Sequence, residues 1–152
     1  MDNCILLSIR KNWAAAILSG EKKLESRKCA PSYNPNTEKL AEYPLRVFMY
    51  ETKAHGGAGA VVGFFDCPGY IGTADPADEM MAKLSGLSVE QLEEYRDGGW
   101  LYGLKVQNPR RLPEPVPLEA LHLDYPPQSW RWLDSINADG LAEIAAAQGV
   151  KL

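Results

Sequence analysis

The chain has 152 residues, 45% of them hydrophobic, and a net charge of −4, which fits one domain around one sizeable core. That balance argues against a protein that coats nucleic acid indiscriminately, and no run reaches the roughly 18 apolar residues of a membrane span. Three cysteines (Cys4, Cys29 and Cys67) and two histidines (His55 and His122) offer neither a disulfide framework nor a zinc-ligand spacing. The expectation is therefore no metal and no cofactor. The opening Met-Asp-Asn lacks the basic start of a signal peptide, which predicts a cytoplasmic protein.

Ile5, Leu6, Leu7 and Ile9 make a nearly continuous apolar run, as in a buried strand over Cys4–Arg10. Trp13, Ala14, Ile17 and Leu18 recur at helical spacing from Lys11 to Ser19, and Gly20 stands where a left-handed residue ends a helix. Next comes Gly-Glu-Lys-Lys-Leu-Glu-Ser-Arg, Gly20 to Arg27, too charged for core. Extended, it puts Lys23, Glu25 and Arg27 on one face and Lys22, Leu24 and Ser26 on the other. Neither face is apolar, so this is an edge strand or the wall of a cleft. Spacing alone also allows a wet edge whose charges pair with one another, each pair contributing roughly 0–1 kcal/mol.

Cys29 to Thr37 is a loop by its Pro, Asn and Ser content, either a flap over a site or a surface connection with Tyr33 packed on the body. Leu45–Thr52 is the clearest strand, with Val47, Met49 and Glu51 on one side and Phe48, Tyr50 and Thr52 on the other. His55-Gly-Gly-Ala-Gly turns the chain into a returning strand, Ala60–Asp66. Those glycines fit a hairpin tip better than a phosphate cradle, since the Lys-Ser/Thr ending of a P-loop is missing.

Asp75 to Tyr95 is helical and acid-rich, a poor partner for phosphates. Asp75-Pro76 or a nearby residue opens one helix, and Ser88 with Gln91 forms a capping box for another. Met80, Met81, Leu84, Leu92 and Tyr95 supply their apolar face. Trp100–Val106 has apolar groups on both faces and belongs centrally in a sheet. Pro109, Pro113, Pro115 and Pro117 then prevent regular ladder pairing. Gln128 to Leu133 reads as a helical turn or short helix after Pro126-Pro127, with Trp130 and Trp132 pointing different ways, one of them core and the other a stacking platform, or both simply packed. Asp139–Gln148 reads as a terminal helix ending at Gly149. The order of elements predicts an α+β fold of five or six strands curved into a small barrel, with helices at its ends.

The chain resembles the ASCH family of the PUA-like superfamily, whose signature Gly-x-Lys-x-x-(Glu or Thr)-x-Arg follows the first helix; here it is Gly20, Lys22, Glu25 and Arg27. Cys4–Arg10, Val47–Thr52, Ala60–Phe65, Trp100–Pro109 and Pro126–Leu133 are similar to the family's other segments, in its order. The resemblance implies a mixed PUA-like β-barrel over residues 1–135, with 136–152 a C-terminal helix packed on the same domain.

It also implies a module that binds RNA or a modified nucleotide in a charged cleft. Lys22, Lys23 and Arg27 would meet phosphate or a base edge, and Glu25 would orient Arg27 or accept from an exocyclic amine. A base could stack on Tyr33, Tyr50 or Trp130, with Lys53 and Ser129 as further contacts. The cations fit such a partner: up to Ala60 there are 9 Lys and Arg against 6 Asp and Glu, and beyond it 7 against 14.

The second reading is a hydrolase, either a ribonuclease or an enzyme resembling N4-acetylcytidine amidohydrolases. There Lys22 and Glu25 would be catalytic, with Tyr50, Lys53 and Ser129 as alternates. The family's signature Thr, the proposed nucleophile, is Glu25 here, so Glu25 could act only as a general base. A third class, a protein-interaction module, has no specific spacing behind it. Membrane and metal partners are not expected, and a monomer is the default.

Overall fold

A computed structural model describes residues 1–75 and 79–152. In chain order it has β1 (Cys4–Ile9), α1 (Lys11–Ser19), β2 (Leu24–Arg27), β3 (Tyr33–Asn34), β4 (Lys39–Leu40), β5 (Leu45–Glu51), a 3₁₀ turn at Ala54–Gly56 and β6 (Ala60–Cys67). Then come β7 (Tyr70–Thr73), α2 (Glu79–Ser85), α3 (Val89–Arg96), β8 (Leu101–Lys105), β9 (Gln107–Val116), a 3₁₀ turn at Leu118–Leu121, β10 (Trp130–Trp132) and α4 (Ser135–Ala147). The fold is α+β. Its strands form a five-stranded mixed sheet, β10-β1-β5-β6-β9, a three-stranded sheet, β2-β8-β7, and the short β3-β4 ladder.

The apolar run of β1 is continuous because both faces of the large sheet are covered. Cys4 and Leu6 join Phe48, Phe64 and Val116 under Ala138, Leu141 and Ala145 of α4. Ile5, Leu7 and Ile9 face the other way, onto Ala14 and Ile17 of α1, Val47 and Met49 of β5, and Leu104 of β8. Each fully buried Leu, Ile or Phe contributes roughly 1.5–3 kcal/mol, so these two layers carry most of the stability. A smaller cluster of Leu24, Met81, Leu92 and Leu101 attaches α2 and α3 to the three-stranded sheet.

Several elements differ from the sequence reading. The segment at 128–133 is a strand, β10, antiparallel to β1, with Leu7 opposite Trp130 and Ile5 opposite Trp132. Two residues apart in a strand share a face. Both indoles therefore pack on the same core, edge to face, with centroids 6.3 Å apart. The Pro-rich segment does pair, as β9, but it lies at the sheet edge and its ladder with β6 shifts register twice. Edge placement is what prolines, lacking a donor, permit.

Helix α4 begins at Ser135, earlier than expected, because the Asp134 carboxylate caps it by accepting from the Asn137 N–H at 2.8 Å. The capping box of α3 forms as read, and Met81 is buried, whereas Met80 is 59% exposed. The proposed helix start at Asp75-Pro76 falls partly outside the described residues. Cys29 to Thr37 contains β3, and Asn34 and Asn36 donate to the carbonyls of Asp2 and Leu133. The loop is thus tied to the residues just before β1 and to the β10–α4 junction, and Tyr33 is 55% exposed instead of packed. β7 gave no sequence signal of its own.

Candidate functional site

A cavity of about 650 Å³ opens where the parallel pair β1 and β5 ends, lined by Ser8 and Thr52, by Arg10 and Trp13 of the β1–α1 junction, by Lys22, Glu25, Ser26 and Arg27, by Gln91 and Tyr95 of α3, and by Gln128 and Ser129 before β10. The charged signature is its floor. Gly20 makes this possible: at φ +88° its N–H closes on the Ile17 carbonyl, and the chain leaves α1 in a tight turn that brings Lys22 N–H to the Ala16 carbonyl at 3.0 Å.

Lys22 precedes the strand and is therefore free of its alternation. Its side chain turns inward, 2% exposed, with Nζ 4.8 Å from the Trp13 ring centroid and donating to the Ser85 carbonyl. It lies 3.8 Å from Glu25 Oε2. Burial pushes the ammonium below the usual lysine range; Glu25 opposes that shift and Arg27 adds to it.

Glu25 and Arg27 share a face of β2, the edge strand of the smaller sheet. Glu25 Oε1 accepts from Arg27 Nε at 3.3 Å and lies 3.2 Å from Nη2. Nη2 also donates to the Ser8 carbonyl at 2.8 Å, and Nη1 donates to Ser129 Oγ at 3.2 Å and to its carbonyl at 3.4 Å. The guanidinium fork thus ties β2 to β1 and to the segment before β10. Glu25 Oε2 is buried and accepts no hydrogen bond, and neither does the buried Thr52 Oγ1. Burial raises the Tyr95 phenol above its ordinary value, partly offset by Arg27, so the phenol stays neutral near pH 7.

Chemically, Arg10, Lys22 and Arg27 outnumber Glu25, the one acid among the described residues lining the cavity. The arrangement suits an anion or a polar edge that pairs a donor for Glu25 with an acceptor for Lys22.

The structure brings together Lys22, Glu25, Arg27 and Ser129, and leaves the other named residues outside the lining. Lys23 and Lys53 are exposed. Tyr50 is 5% exposed in the core under α4. Trp130 packs on the opposite core and donates its indole N–H to the Cys29 carbonyl. Tyr33 lies on the β3-β4 ladder, and no residue of 29–37 lines the cavity. The glycine-rich turn is organised by Glu51, whose carboxylate accepts from Ala58 N–H at 2.8 Å and whose carbonyl accepts from Gly59 N–H. Its amides are thus turned to Glu51, as a hairpin tip requires. Sequence reasoning missed Arg10, at the end of the first strand, and also Ser8, Trp13, Thr52, Gln91 and Tyr95. Trp13 and Tyr95 were already accounted for as helix faces, Gln91 as a capping box and Thr52 as the end of a strand, and no local signal marked Ser8.

Among solved structures, the chain is similar to ASCH from Zymomonas mobilis, with 22% identity over 94% of this chain and 96% of that one and a TM-score of 0.76. It is likewise similar to a serine-to-alanine mutant of the same protein, at 21% identity, 94% and 96% coverage and a TM-score of 0.75. The N-terminal domain of Staphylothermus marinus McrB is more distant, with 10% identity, 94% coverage of each chain and a TM-score of 0.57. No protein-family model and no curated protein matches the chain. The fold is that of an ASCH domain.

Proposed function

Starting from an ASCH fold that holds a cationic cavity around one carboxylate, we propose that this protein is a cytoplasmic module that binds RNA or a modified nucleotide. The observation that carries the reading is Glu25 Oε2: a buried carboxylate oxygen on the cavity wall, without a hydrogen bond, 3.8 Å from the Lys22 ammonium. Leaving such an oxygen unmet is costly. A base edge that donates an amine hydrogen to it and presents a ring or carbonyl acceptor to Lys22 answers both groups. Arg27 holds Glu25 in place, and Ser129 and Arg10 face the sugar and phosphate. We take residues 1–135, with α4 packed on them, as one PUA-like unit. Leu104 of the smaller sheet shares a core with Val47 of the larger, which supports a barrel-like curvature.

A thermal-shift screen of nucleosides, nucleotides and short RNAs tests the reading, with Glu25→Gln as the control. The parent should be stabilised by at least one ligand, and Glu25→Gln should lose roughly 1–3 kcal/mol of that binding. A full screen without a shift, or a Glu25→Gln variant that binds equally well, would sink it.

A second reading, hydrolysis, is favoured by one observation: a lysine of lowered basicity beside a buried carboxylate is a proton-transfer pair. It is distinguished by turnover of RNA or N4-acetylcytidine that Glu25→Gln abolishes and Glu25→Asp partly retains.

A further inference from the structure

A second depression, of about 390 Å³, adjoins the cavity and is lined by Lys28, Gln91, Glu94 and Tyr95. Gln91 and Tyr95 also line the cavity, so the two spaces share a wall. Lys28 directly follows Arg27 and continues the row of cations from the cavity floor outward. Its ammonium lies 5.5 Å from the Tyr95 ring centroid. The ring is half-buried and, like any tyrosine phenol near pH 7, uncharged, so it offers a base an apolar face. Lys28 and Glu94 lie outside the cavity lining and are not needed by a ligand confined to it, and the cavity by itself lies within the usual size range for one small ligand, roughly 300–1,000 Å³.

We propose that the occupant is a single-stranded oligonucleotide and not a free nucleotide: one nucleotide fills the cavity, the next lies across Tyr95, and the phosphate linking them is met by Lys28. This rests on the nucleotide reading above. A cation beside an aromatic face is the pairing that holds a single strand with little regard to base identity. The arriving base takes the ring face, and the displaced ammonium moves to the phosphate, a full negative charge and a stronger partner than the ring. Glu94, on the α3 side of the same depression, repels phosphate and so fixes the backbone on the Lys28 side. The shared wall gives the strand a continuous path between the two compartments.

The test uses the full chain and isothermal titration with the four nucleoside 5′-monophosphates and the four 5′-phosphorylated homodinucleotides of RNA. At least one dinucleotide should bind about tenfold more tightly than its mononucleotide, the scale of one stacked base. Lys28→Ala, at an exposed position, should remove most of that gain while leaving mononucleotide affinity unchanged. It should also reduce the log-log salt slope by about 0.7, one single-strand phosphate contact. Tyr95→Phe should keep the gain, and Tyr95→Leu should lose it. If mononucleotides and dinucleotides bind equally and Lys28→Ala changes neither, the strand path is wrong and the nucleotide reading survives. If neither class binds, both fall.

Discussion

Replacing Arg27 with Ala probes the clamp on which the cavity depends. The side chain is only 10% exposed and holds Glu25 Oε1, the Ser8 carbonyl and both oxygens of Ser129. Its removal strands a buried carboxylate, and breaking a buried ion pair by deleting one partner costs about 3–5 kcal/mol. Two features favour the lower end: the Lys22 ammonium remains 3.8 Å from Glu25 Oε2, and the cavity admits water to the freed oxygens. The expected loss is about 3 kcal/mol, or a fall in Tm of about 6–12 °C for a chain of this length. Thermal and urea unfolding followed by circular dichroism measure it. Arg27→Lys keeps the charge without the fork and should lie between. Arg27→Met combined with Glu25→Leu removes both charges and should recover at least half of the loss. A Tm for Arg27→Ala within about 1 °C of the parent would refute the clamp, because exposed, unengaged arginines are the ones whose loss is that small.

Lys22 gives a pH-dependent prediction. Burial lowers its pKa below the ordinary 10.5, so between the folded value and 10.5 the unfolded chain binds more protons. Stability relative to Lys22→Met should therefore rise with pH through that window, at up to about 1.4 kcal/mol per pH unit. A difference that stays flat or falls between neutrality and pH 10.5 would contradict the assigned burial. Two glycines should respond in opposite directions in urea titrations. A Cβ at Gly57 would sit 1.6 Å from the Thr52 carbonyl oxygen, and Gly57→Ala should cost about 1–3 kcal/mol. Gly140, inside α4 with nothing within 4 Å of a Cβ, should stabilise the protein by about 0.5–1 kcal/mol as Gly140→Ala; a loss there would mean that α4 packs differently.

The parts legible in the sequence are those whose cause is local. The β1–α1 unit and the β5–β6 hairpin announce themselves through apolar period and turn residues, and Gly20 marks the end of α1 by its backbone needs. Where the cause is a distant partner, the sequence was silent or misleading. Trp130-Arg131-Trp132 extends because β1 offers it a free edge more than 120 positions earlier in the chain, and nothing within the tripeptide states that. The same holds for the candidate site. Lys22, Glu25 and Arg27 stand out because so many charges in one segment need a reason. Thr52 and Tyr95 carry ordinary local explanations, one as the end of a strand and one as a helix face. Their place in the cavity follows only from the tertiary fold, which sets α3 and the residue after β5 around one space. Lys22 shows the limit of face-counting: alternation put it opposite Glu25, yet it lies before the strand begins and turns to the same side.

The arrangement of charge also explains how an acidic chain can offer a site to an anion. Arg27 and Glu25 neutralise each other within the floor, and because the guanidinium is fully engaged, it supplies geometry more than attraction. The responsive groups are then Lys22, which can leave the Ser85 carbonyl for an incoming acceptor, and Glu25 Oε2, which awaits a donor. On the proposed reading, a ligand offering phosphate alone would set its charge against Glu25 and gain little. A base that brings donor and acceptor together satisfies both groups at once. Selectivity for the base edge is thus built into the depth of the cavity, while phosphate recognition falls to the cations outside that depth: Arg10 at the rim for the bound nucleotide's own phosphate, and Lys28 in the adjoining depression for the phosphate that links it to the next. Raising the salt should accordingly weaken oligonucleotides more than nucleosides, because only these contacts release counterions.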